Sequence, residues 1–579
     1  MIELPKPVAA MNPQERRDFW LFMAFAFVVL VIGIGLRAPW PSDEPRFVLV
    51  AKQMWESGDW LFPHRGRELY PDKPPVYFWL LNASYAVVRN WTWAFLLPSL
   101  MAAMGTLALV ADLARRLWNP RVGLWAGAAV LCAVQFVYQS KRAQIDPTVV
   151  FFITLGCYGL LRHTMLGPNW RWYWLGCFSA GLGVATKGVG FLALLMLLPY
   201  AVMRWRNWRG LTAASTTSSA WRWTFGAVAF LAGIAIWFVP MLTVALAGGD
   251  PEHRAYLDNL LFKQTATRYT NAWHHHEPFW YFAEVIALFW MPLSLTVPWL
   301  VAPWRDAWRE RDARIWLPLC WVLLVLAFFS ASPGKRDMYI LPALPMFALA
   351  AAPFLGLVTQ RRGLRVALLG FVIALGAGLL AVGVAALLGD PAFERKLETA
   401  RGLVDSGAAE PIWISITLMG VLLLITAAWS RLRHVISAVA ITTLVLWTGY
   451  GVGIAPALDA ESSSRRLMVE ARNAAGPTAT IGLIHWTEQM LLQAVGPITE
   501  FGFRADVVDQ WNEGLVWIRA SPDDRRVLVQ ADSLPTCVSS PEKIGVSNRR
   551  EWYLVNANAA RECPYPIMRA NLPSPASDD

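Results

Sequence analysis

The chain carries too little charge for an ordinary soluble protein. Only 16% of its 579 residues are Asp, Glu, Lys or Arg, and 56% are hydrophobic, whereas soluble globular domains carry about 25% charged residues. The mean hydropathy is +0.38. This shortage of charge argues against a globular protein surrounded by water, because too few polar side chains remain to cover a surface of that size.

The sequence also lacks a Walker loop, a dinucleotide-binding glycine fingerprint and an evident internal repeat. Without the first two motifs, a nucleotide is not expected as cofactor or energy source. Without a repeat, a transporter is disfavoured, since many transporters are built from repeated halves. The net charge of +10 does not indicate nucleic-acid binding, because the arginines cluster at the ends of apolar runs.

Apolar runs of about 17–25 residues, the length that crosses a bilayer core of about 30 Å, recur along residues 1–455. They predict a polytopic α-helical membrane protein with about thirteen spans. The predicted spans are 19–36, 93–113, 121–139, 147–162, 171–186, 188–203, 223–245, 279–302, 315–330, 339–357, 366–388, 411–429 and 434–455. The first run is predicted to be a retained span, because Arg37-Ala38-Pro39-Trp40 follows it instead of a small-residue cleavage site.

Arginine clusters follow every second apolar run, as the positive-inside rule requires of cytoplasmic span ends. An odd number of spans that starts inside places the C-terminus outside. The sequence therefore predicts a transmembrane catalytic domain at 1–455, with long outer loops at 37–92 and 246–278. The tail, 456–579, alternates apolar and polar residues between turn signals, which predicts an outer α/β domain.

The tail contains two cysteines, Cys537 and Cys563, while the other four of the chain fall inside predicted spans. In an oxidising compartment outside the cytoplasm, the two would form a disulfide. The alternative is a pair of unrelated thiols.

Charged groups collect in the outer connections, where the positive-inside rule does not place them. They are Arg46, Lys52, Lys73, Lys141, Arg142, Lys187, Arg268, Lys335 and Arg336, with the acids Asp43, Glu44, Asp72 and Asp146 among them. A charge at membrane depth costs about 2.5–3.5 kcal/mol, so such groups are usually functional. Loop solvation and structural ion pairs can explain any single one. A shared anionic ligand explains the set.

Short motifs carry these charges in a fixed order. They are DEPR from Asp43, YPDKPP from Tyr70, Ile145-Asp146, Thr186-Lys187-Gly188, a histidine shortly before Pro278-Phe279-Trp280-Tyr281, and Tyr339-Ile340-Leu341-Pro342. Together they resemble the polyprenyl-phosphate-sugar-dependent glycosyltransferases of the GT-C class. Within that class they are most similar to the branch containing the aminoarabinose transferase of lipid A, a relative of the protein O-mannosyltransferases.

The resemblance implies a GT-C architecture in the bacterial inner membrane, with the active site facing the periplasm. It implies an inverting transferase that moves a sugar, 4-amino-4-deoxy-L-arabinose in that branch, from undecaprenyl phosphate to lipid A or a related periplasmic acceptor. A monomer in contact with membrane lipids is expected, with no nucleic-acid partner. A protein O-glycosyltransferase, or a transferase that modifies another part of lipopolysaccharide, is the alternative. A membrane transporter is a more remote alternative.

The resemblance also implies residue roles. The catalytic acids are Asp43 and Asp146; the donor phosphate is bound by Arg46, Lys73, Lys187, Arg268, Lys335 and Arg336; and the substrate is lined by Glu44, Tyr70 and Tyr339. Asp43 would take a proton from a hydroxyl acceptor. The oxygen of a lipid A phosphate is already ionised, and with that acceptor Asp43 would orient groups or contact a sugar amine. Capping of the following helix by Asp43 is the structural alternative.

A divalent metal, Zn²⁺ or Mg²⁺, is a further implication of the resemblance. Its ligands would be Asp72 with His275 or His276. Zinc needs more than two protein ligands unless water completes the set. The alternative is that these imidazoles line a lipid headgroup region.

Overall fold

The computed structural model describes residues 11–212, 220–261, 277–389, 391–401, 403 and 409–573. A helical bundle occupies the chain up to residue 448, and an α/β domain follows it. The bundle helices and the helices of its loops are α1 (Pro13–Val31), α2 (Glu44–Ser57), α3 (Val76–Val88), α4 (Trp91–Ala94), α5 (Leu97–Leu117), α6 (Pro120–Cys132), α7 (Val134–Ser140), α8 (Ile145–Met165), α9 (Trp170–Lys187), α10 (Leu197–Trp205), α11 (Ala220–Ala247), α12 (Pro251–Asp258), α13 (Tyr281–Phe289), α14 (Val297–Arg309), α15 (Ala313–Ala331), α16 (Ala343–Val358), α17 (Arg362–Leu388), α18 (Ala392–Arg401), α19 (Ala409–Ser430) and α20 (Val435–Thr448).

The described residues contain seven helices that are long and apolar enough to cross a membrane, or up to nine if each of two bent pairs counts as one span. The bent pairs are α6 with α7, at 69°, and α13 with Ser294–Arg309, at 99°. The predicted class, a polytopic helical membrane protein, is confirmed. The predicted number of spans stays a prediction, because several predicted spans coincide with shorter helices such as Gly190–Trp205 and α16.

Small residues let the bundle helices approach closely around α9. A Cβ added to Gly181 of α9 would collide with the carbonyl oxygen of Phe230 in α11, and one added to Gly233 would collide with that of Phe178. Such close backbone contacts are how helices associate inside a membrane, where apolar surface gives no preference for protein over lipid. They fix α9, which ends at Lys187 with Gly188 in the left-handed conformation, φ 82°.

The last helix of the bundle continues into the C-terminal domain as far as Ser462. A π-helical turn (Gly449–Ile454) joins α20 to α21 (Ala455–Ser462), and α22 (Arg465–Ala475) follows after a break at Ser464, whose φ of 62° is left-handed. The composition change near residue 455 therefore falls within a helix. It marks the exit of that helix from the apolar bundle.

A five-stranded sheet forms the centre of the C-terminal domain. Its strands are β3 (Thr480–Ile484), β4 (Ile498–Glu500), β5 (Arg525–Gln530), β6 (Glu542–Ser547) and β7 (Arg550–Val555), in the order β4-β3-β5-β7-β6. β4, β3 and β5 are parallel, and β7 is antiparallel to β5 and β6. The helices α23 (Glu488–Leu492) and α24 (Val507–Ala520) connect the parallel strands. A disulfide joins Cys537 to Cys563, as the sequence predicts.

The first loop of the chain lies between the bundle and this domain. A short hairpin, β1 (His64–Arg65) with β2 (Glu68–Leu69), presents Arg67, whose guanidinium donates two hydrogen bonds of 2.7 Å to Glu513. The backbone N–H of Arg504 donates to Glu68 at 3.0 Å, and Leu49 of α2 joins the apolar core of the C-terminal domain. The loop that carries the DEPR motif is therefore held against the C-terminal domain.

Candidate active site

Asp43 stands at the N-cap position of α2, but its side chain makes no capping hydrogen bond. Pro45 occupies the second helical position and has no N–H to offer, which removes one of the two usual capping donors. The Asp43 carboxylate instead accepts a hydrogen bond from Gln144 at 3.4 Å. It also lies 3.6 Å from Arg46 and 3.7 Å from Arg336. Helix capping is thus excluded as its role, and the cationic surroundings predicted for it are present.

Glu44, the neighbouring acid, is only 1% exposed. Its oxygens accept hydrogen bonds from the Arg37 guanidinium at 2.5 and 2.8 Å and from the backbone N–H groups of Trp40 and Ala143 at 2.8 and 2.9 Å. Burial acts to raise the pKa of Glu44, but Arg37 outweighs burial and holds the pKa below its ordinary value. The predicted substrate-lining role of Glu44 is wrong. The side chain is a buried anchor for the loop.

A second acidic centre lies two residues beyond Gln144. Asp146 accepts a hydrogen bond of 2.5 Å from the Lys187 ammonium at the end of α9. The same ammonium lies 5.3 Å from the centroid of the Tyr339 ring, within the range of a cation–π contact. The predicted residues Asp146, Lys187 and Tyr339 are therefore brought together.

Two chain segments link the Asp43 and Asp146 centres. Segment 143–146 contacts Glu44, Asp43 and Lys187 in turn. Segment 336–339 places Arg336 beside Asp43 and Tyr339 beside Lys187. Segment 143–146 contains Asp146 and contacts Asp43, and segment 336–339 contacts Asp43 and the Lys187 partner of Asp146. The DEPR, Ile145-Asp146, Thr186-Lys187-Gly188 and Tyr339 motifs therefore meet in one site.

Glu488 of the C-terminal domain is a member of this site that the sequence did not reveal. Its carboxylate, 5% exposed, accepts hydrogen bonds from Arg46 at 2.8 Å and from Arg65 at 3.2 Å. Burial acts to lower the pKa of Arg46, but Glu488 and the other acids nearby raise the pKa above its ordinary value. Burial lowers the pKa of Arg65 in spite of Glu488, and the adjacent Arg46 adds to that effect.

Other predicted residues occupy different surroundings. Tyr70, predicted to line the substrate, is instead 1% exposed and packs under the Arg65 guanidinium. The pKa of its hydroxyl is raised, mainly by burial and in addition by the negative charge of Asp72. Lys335 is buried and donates a hydrogen bond of 2.8 Å to the carbonyl oxygen of Glu277. Lys73 is half-buried in the turn before α3.

The predicted metal ligands do not form a described site. Asp72 accepts a hydrogen bond of 3.2 Å from Arg504. His275, His276 and the predicted phosphate ligand Arg268 lie outside the described residues. Among the residues that the structure describes, there is no group of three or more His, Cys, Asp or Glu side chains that could hold a metal. The metal remains a prediction.

Comparisons with known proteins agree with the motifs. The dolichyl-phosphate-mannose-protein mannosyltransferase family matches residues 72–239. The undecaprenyl phosphate-alpha-4-amino-4-deoxy-L-arabinose arabinosyl transferase of Pseudomonas aeruginosa UCBPP-PA14 is 29% identical over 388 residues, which are 64% of this chain and 65% of that protein. The enzyme of the same name from strain PAO1 is 30% identical over 377 residues, 63% of each chain. The match thus spans just under two thirds of the length of these curated relatives.

A solved structure shares the fold over almost the whole chain. The crystal structure of ArnT from Cupriavidus metallidurans bound to undecaprenyl phosphate superposes with a TM-score of 0.71 at 19% identity, over 96% of this chain and 99% of that one. At this identity the likeness shows the fold. The resemblance to GT-C transferases of the aminoarabinose branch, stated from the motifs, is confirmed.

Proposed function

We propose that this chain is an inverting glycosyltransferase of the bacterial inner membrane. It moves 4-amino-4-deoxy-L-arabinose from undecaprenyl phosphate to lipid A or a related acceptor, as a monomer whose active site faces the periplasm. The observation that carries the proposal is the convergence of Asp43, Arg46, Asp146, Lys187 and Arg336 from separate motifs. A buried carboxylate among cations suits a reaction that moves a sugar away from a phosphate.

The relatives support the choice of donor. Both Pseudomonas aeruginosa proteins are named for undecaprenyl phosphate and 4-amino-4-deoxy-L-arabinose, and the Cupriavidus metallidurans protein was crystallised with undecaprenyl phosphate. The proposal extends that chemistry to this chain because Asp43, Asp146, Lys187 and Arg336 meet in one site.

In the proposed reaction, an acceptor oxygen attacks C1 of the donor sugar while the bond from C1 to the phosphate oxygen breaks. Undecaprenyl phosphate leaves with one more negative charge than it carried in the donor. Lys187 and Arg336, with Arg46 beside Asp43 and Lys73 of the same loop as Arg46, stabilise that charge, and fixed cations favour the transition state over the ground state. A single displacement inverts C1 and forms no covalent enzyme intermediate.

The role of Asp43 follows from the acceptor. If the acceptor is a sugar hydroxyl, Asp43 takes its proton as general base. If it is a lipid A phosphate, the attacking oxygen is already ionised, and Asp43 orients the Arg46 and Arg336 guanidiniums instead. Asp146 holds Lys187 in place in both cases.

A protein acceptor is the second candidate. The match of residues 72–239 to dolichyl-phosphate-mannose-protein mannosyltransferases favours it. The donor phosphate chemistry would be the same, and only the acceptor would change.

The test is transfer from undecaprenyl-phosphate-linked aminoarabinose to lipid A by the purified protein in lipid vesicles. Asp43→Asn keeps the shape of the side chain but removes both the general base and the charge that orients the Arg46 and Arg336 guanidiniums, and we expect at least a ~100-fold loss of rate with either kind of acceptor. The matched control is Asp18→Asn, since Asp18 is 40% exposed and forms a 3.8 Å pair with Arg17 away from the site. Wild-type transfer to a peptide and not to lipid A would favour the second candidate. Equal rates for wild type and Asp43→Asn would refute the site.

A further inference from the structure

The carboxyl ends of the parallel strands β3 and β5 meet at an edge of the C-terminal domain, here called the crevice, that the transfer reaction does not use. After β3 the chain continues to β4 on one side of the pair β3–β5, and after β5 it continues to β6, which lies beyond β7 in the opposite direction along the sheet. In open α/β sheets, ligands bind where the outgoing connections diverge in this way. Here the divergence lies between β3 and β5, and the residues at its mouth are His485, Asp532 and Ser533, with Arg550 at the adjacent start of β7.

Two buried glutamines hold the backbone of His485. Its N–H donates a 2.8 Å hydrogen bond to the side chain of Gln510, and its carbonyl oxygen accepts one from the side chain of Gln530. Gln510 and Gln530 are 2% and 1% exposed. His485 itself has φ 51°, a left-handed conformation that costs energy for a residue other than glycine and is common at functional sites. The fold therefore fixes a strained residue at the mouth of the crevice.

The hydrogen bonds around the imidazole determine its tautomer. The Ser533 hydroxyl donates its only proton to the Asp532 carboxylate at 3.0 Å, because a carboxylate can only accept. Both hydrogen bonds of Ser533 form together only when the one to His485 runs from Nδ1–H to the hydroxyl oxygen. Nε2 is left with its lone pair.

This lone pair is available to a ligand. Within the described residues, Nε2 of His485 makes no hydrogen bond and is not among the buried polar atoms. The side chain is 41% exposed. Burial of the rest of the ring lowers the pKa of His485, although Asp532 acts to raise it, and this favours the neutral imidazole, which can accept a hydrogen bond.

A cation stands on the same side of the crevice. The Arg550 guanidinium donates a hydrogen bond to the side chain of Gln530 and lies 3.7 Å from Asp532. Its side chain is 50% exposed, so donors remain free to meet an anion. A lone-pair acceptor next to a guanidinium matches a ligand that carries a hydroxyl beside a negatively charged group.

We propose that this crevice is a carbohydrate-binding site, in which Nε2 of His485 accepts a hydrogen bond from a sugar hydroxyl and Arg550 pairs with a phosphate on the same sugar. The site holds a phosphorylated part of the acceptor glycan, an assignment that rests on the proposed function. His485 lies three residues before Glu488, which contacts the active-site loop. The crevice thus opens next to the reaction centre.

The test is direct binding to the purified full-length protein, measured by saturation-transfer-difference NMR with N-acetylglucosamine 1-phosphate as the probe. N-acetylglucosamine and inorganic phosphate serve as competitors. Wild type is expected to bind the sugar phosphate at least tenfold more tightly than either competitor. Arg550→Gln should weaken binding about tenfold or more, and His485→Asn about fivefold. Asparagine tolerates the left-handed conformation, so the second variant keeps the backbone.

Lys543→Gln is the matched control, because Lys543 is a half-exposed cation of the same domain that pairs with Glu551 on the outer strands. It should bind the probe as wild type does. Absence of binding to wild type, or equal binding by all three variants, overturns the proposal. Equal affinity for inorganic phosphate, unaffected by His485→Asn, overturns the carbohydrate assignment in favour of a simple anion site. Because binding is measured without donor, a failure of the proposed transfer reaction would leave this result intact.

Discussion

The two ends of the helical bundle both carry pairs of basic and acidic side chains, but they are built differently. At the arginine-rich end, Asp112 pairs with Arg115 and Arg116, three and four residues away. At the end that meets the C-terminal domain, the partners are 41 residues apart for Asp146 and Lys187 and 442 apart for Arg46 and Glu488. The first kind of pair forms as soon as a helix forms. The second requires the complete fold.

Burial separates the two ends as well. The Asp112 and Arg116 side chains are 25% and 32% exposed, whereas Lys187 and Asp146 are 16% and 9% exposed, and Arg37 and Glu44, which are seven residues apart, are 3% and 1% exposed. Exposed pairs contribute about 0–1 kcal/mol, while removing one partner of a buried pair costs about 3–5 kcal/mol. The local pairs stabilise the ends of single helices. The distant pairs hold segments from different parts of the chain together in one place. That is the arrangement a reaction centre needs.

The largest effect is expected from Glu44→Gln. The change leaves the buried Arg37 guanidinium without a counter-charge, and it should lower the free energy of unfolding by about 3–5 kcal/mol at pH 7. The pKa of Glu44 is below its ordinary value of 4.5 in the folded protein. Its contribution is therefore complete above pH 4.5 and is lost as pH falls through the folded pKa. Thermal unfolding of wild type and variant in detergent, at pH 7 and in steps below pH 4.5, measures the difference.

The difference in stability between wild type and Glu44→Gln should become smaller only at pH values below 4.5. Asp18→Asn serves as the control and should follow wild type at every pH. A gap that stays constant down to acid pH would show that Glu44 contributes through packing and not through its charge.

Lys187→Met comes next and tests the Asp146 centre. Methionine keeps the volume of the lysine stem but removes the ammonium 2.5 Å from Asp146, so a cation for the leaving phosphate is lost. We expect the transfer rate to fall at least ~100-fold. Lys187→Arg keeps the charge and should retain a larger share of the rate. If methionine and arginine give equal rates, the charge of Lys187 has no part in the reaction.

The sequence was sufficient for the parts of the site that depend on local order. Apolar runs located the helices of the bundle, and the motifs identified Asp43, Arg46, Asp146, Lys187, Arg336 and Tyr339, all of which meet in the structure. The glycine of Thr186-Lys187-Gly188 ends α9 directly after the lysine. Each of these features depends on residues close together in the chain or on a recognised motif.

The remaining features depend on which way a side chain points and on distant partners. Asp43 and Glu44 are adjacent acids, but successive side chains at a helix start point about 100° apart, so one faces the site and the other is buried against Arg37. Glu488 lies in a different domain from Arg46, with no motif around it. Neither fact can be read from spacing along the sequence.

A smaller effect is expected from Glu488→Gln, which tests whether the C-terminal domain contributes to the reaction. The amide keeps one oxygen for Arg46 and Arg65 but removes the charge between them, and we expect about a tenfold loss of transfer rate with little change in the affinity for the donor. Glu513→Gln is the matched control, because Glu513 also joins the domain to the first loop, through Arg67, but is 48% exposed. It should stay within about twofold of wild type. Equal losses in both variants would show that docking of the domain matters, and not the placement of Arg46.

Asp112→Asn is expected to have the smallest effect, and it tests the other end of the bundle. The change weakens pairs of 2.6 and 2.5 Å with Arg115 and Arg116 and a 2.6 Å hydrogen bond from the Tyr158 hydroxyl. Because asparagine still accepts a hydrogen bond and the pairs are local and partly exposed, the cost should be about 1 kcal/mol of unfolding free energy. The transfer rate should remain within about twofold of wild type in lipid vesicles. A loss of rate as large as that of Lys187→Met, at unchanged stability, would mean that the local pairs at the arginine-rich end take part in the reaction, and the contrast between the two ends would fail.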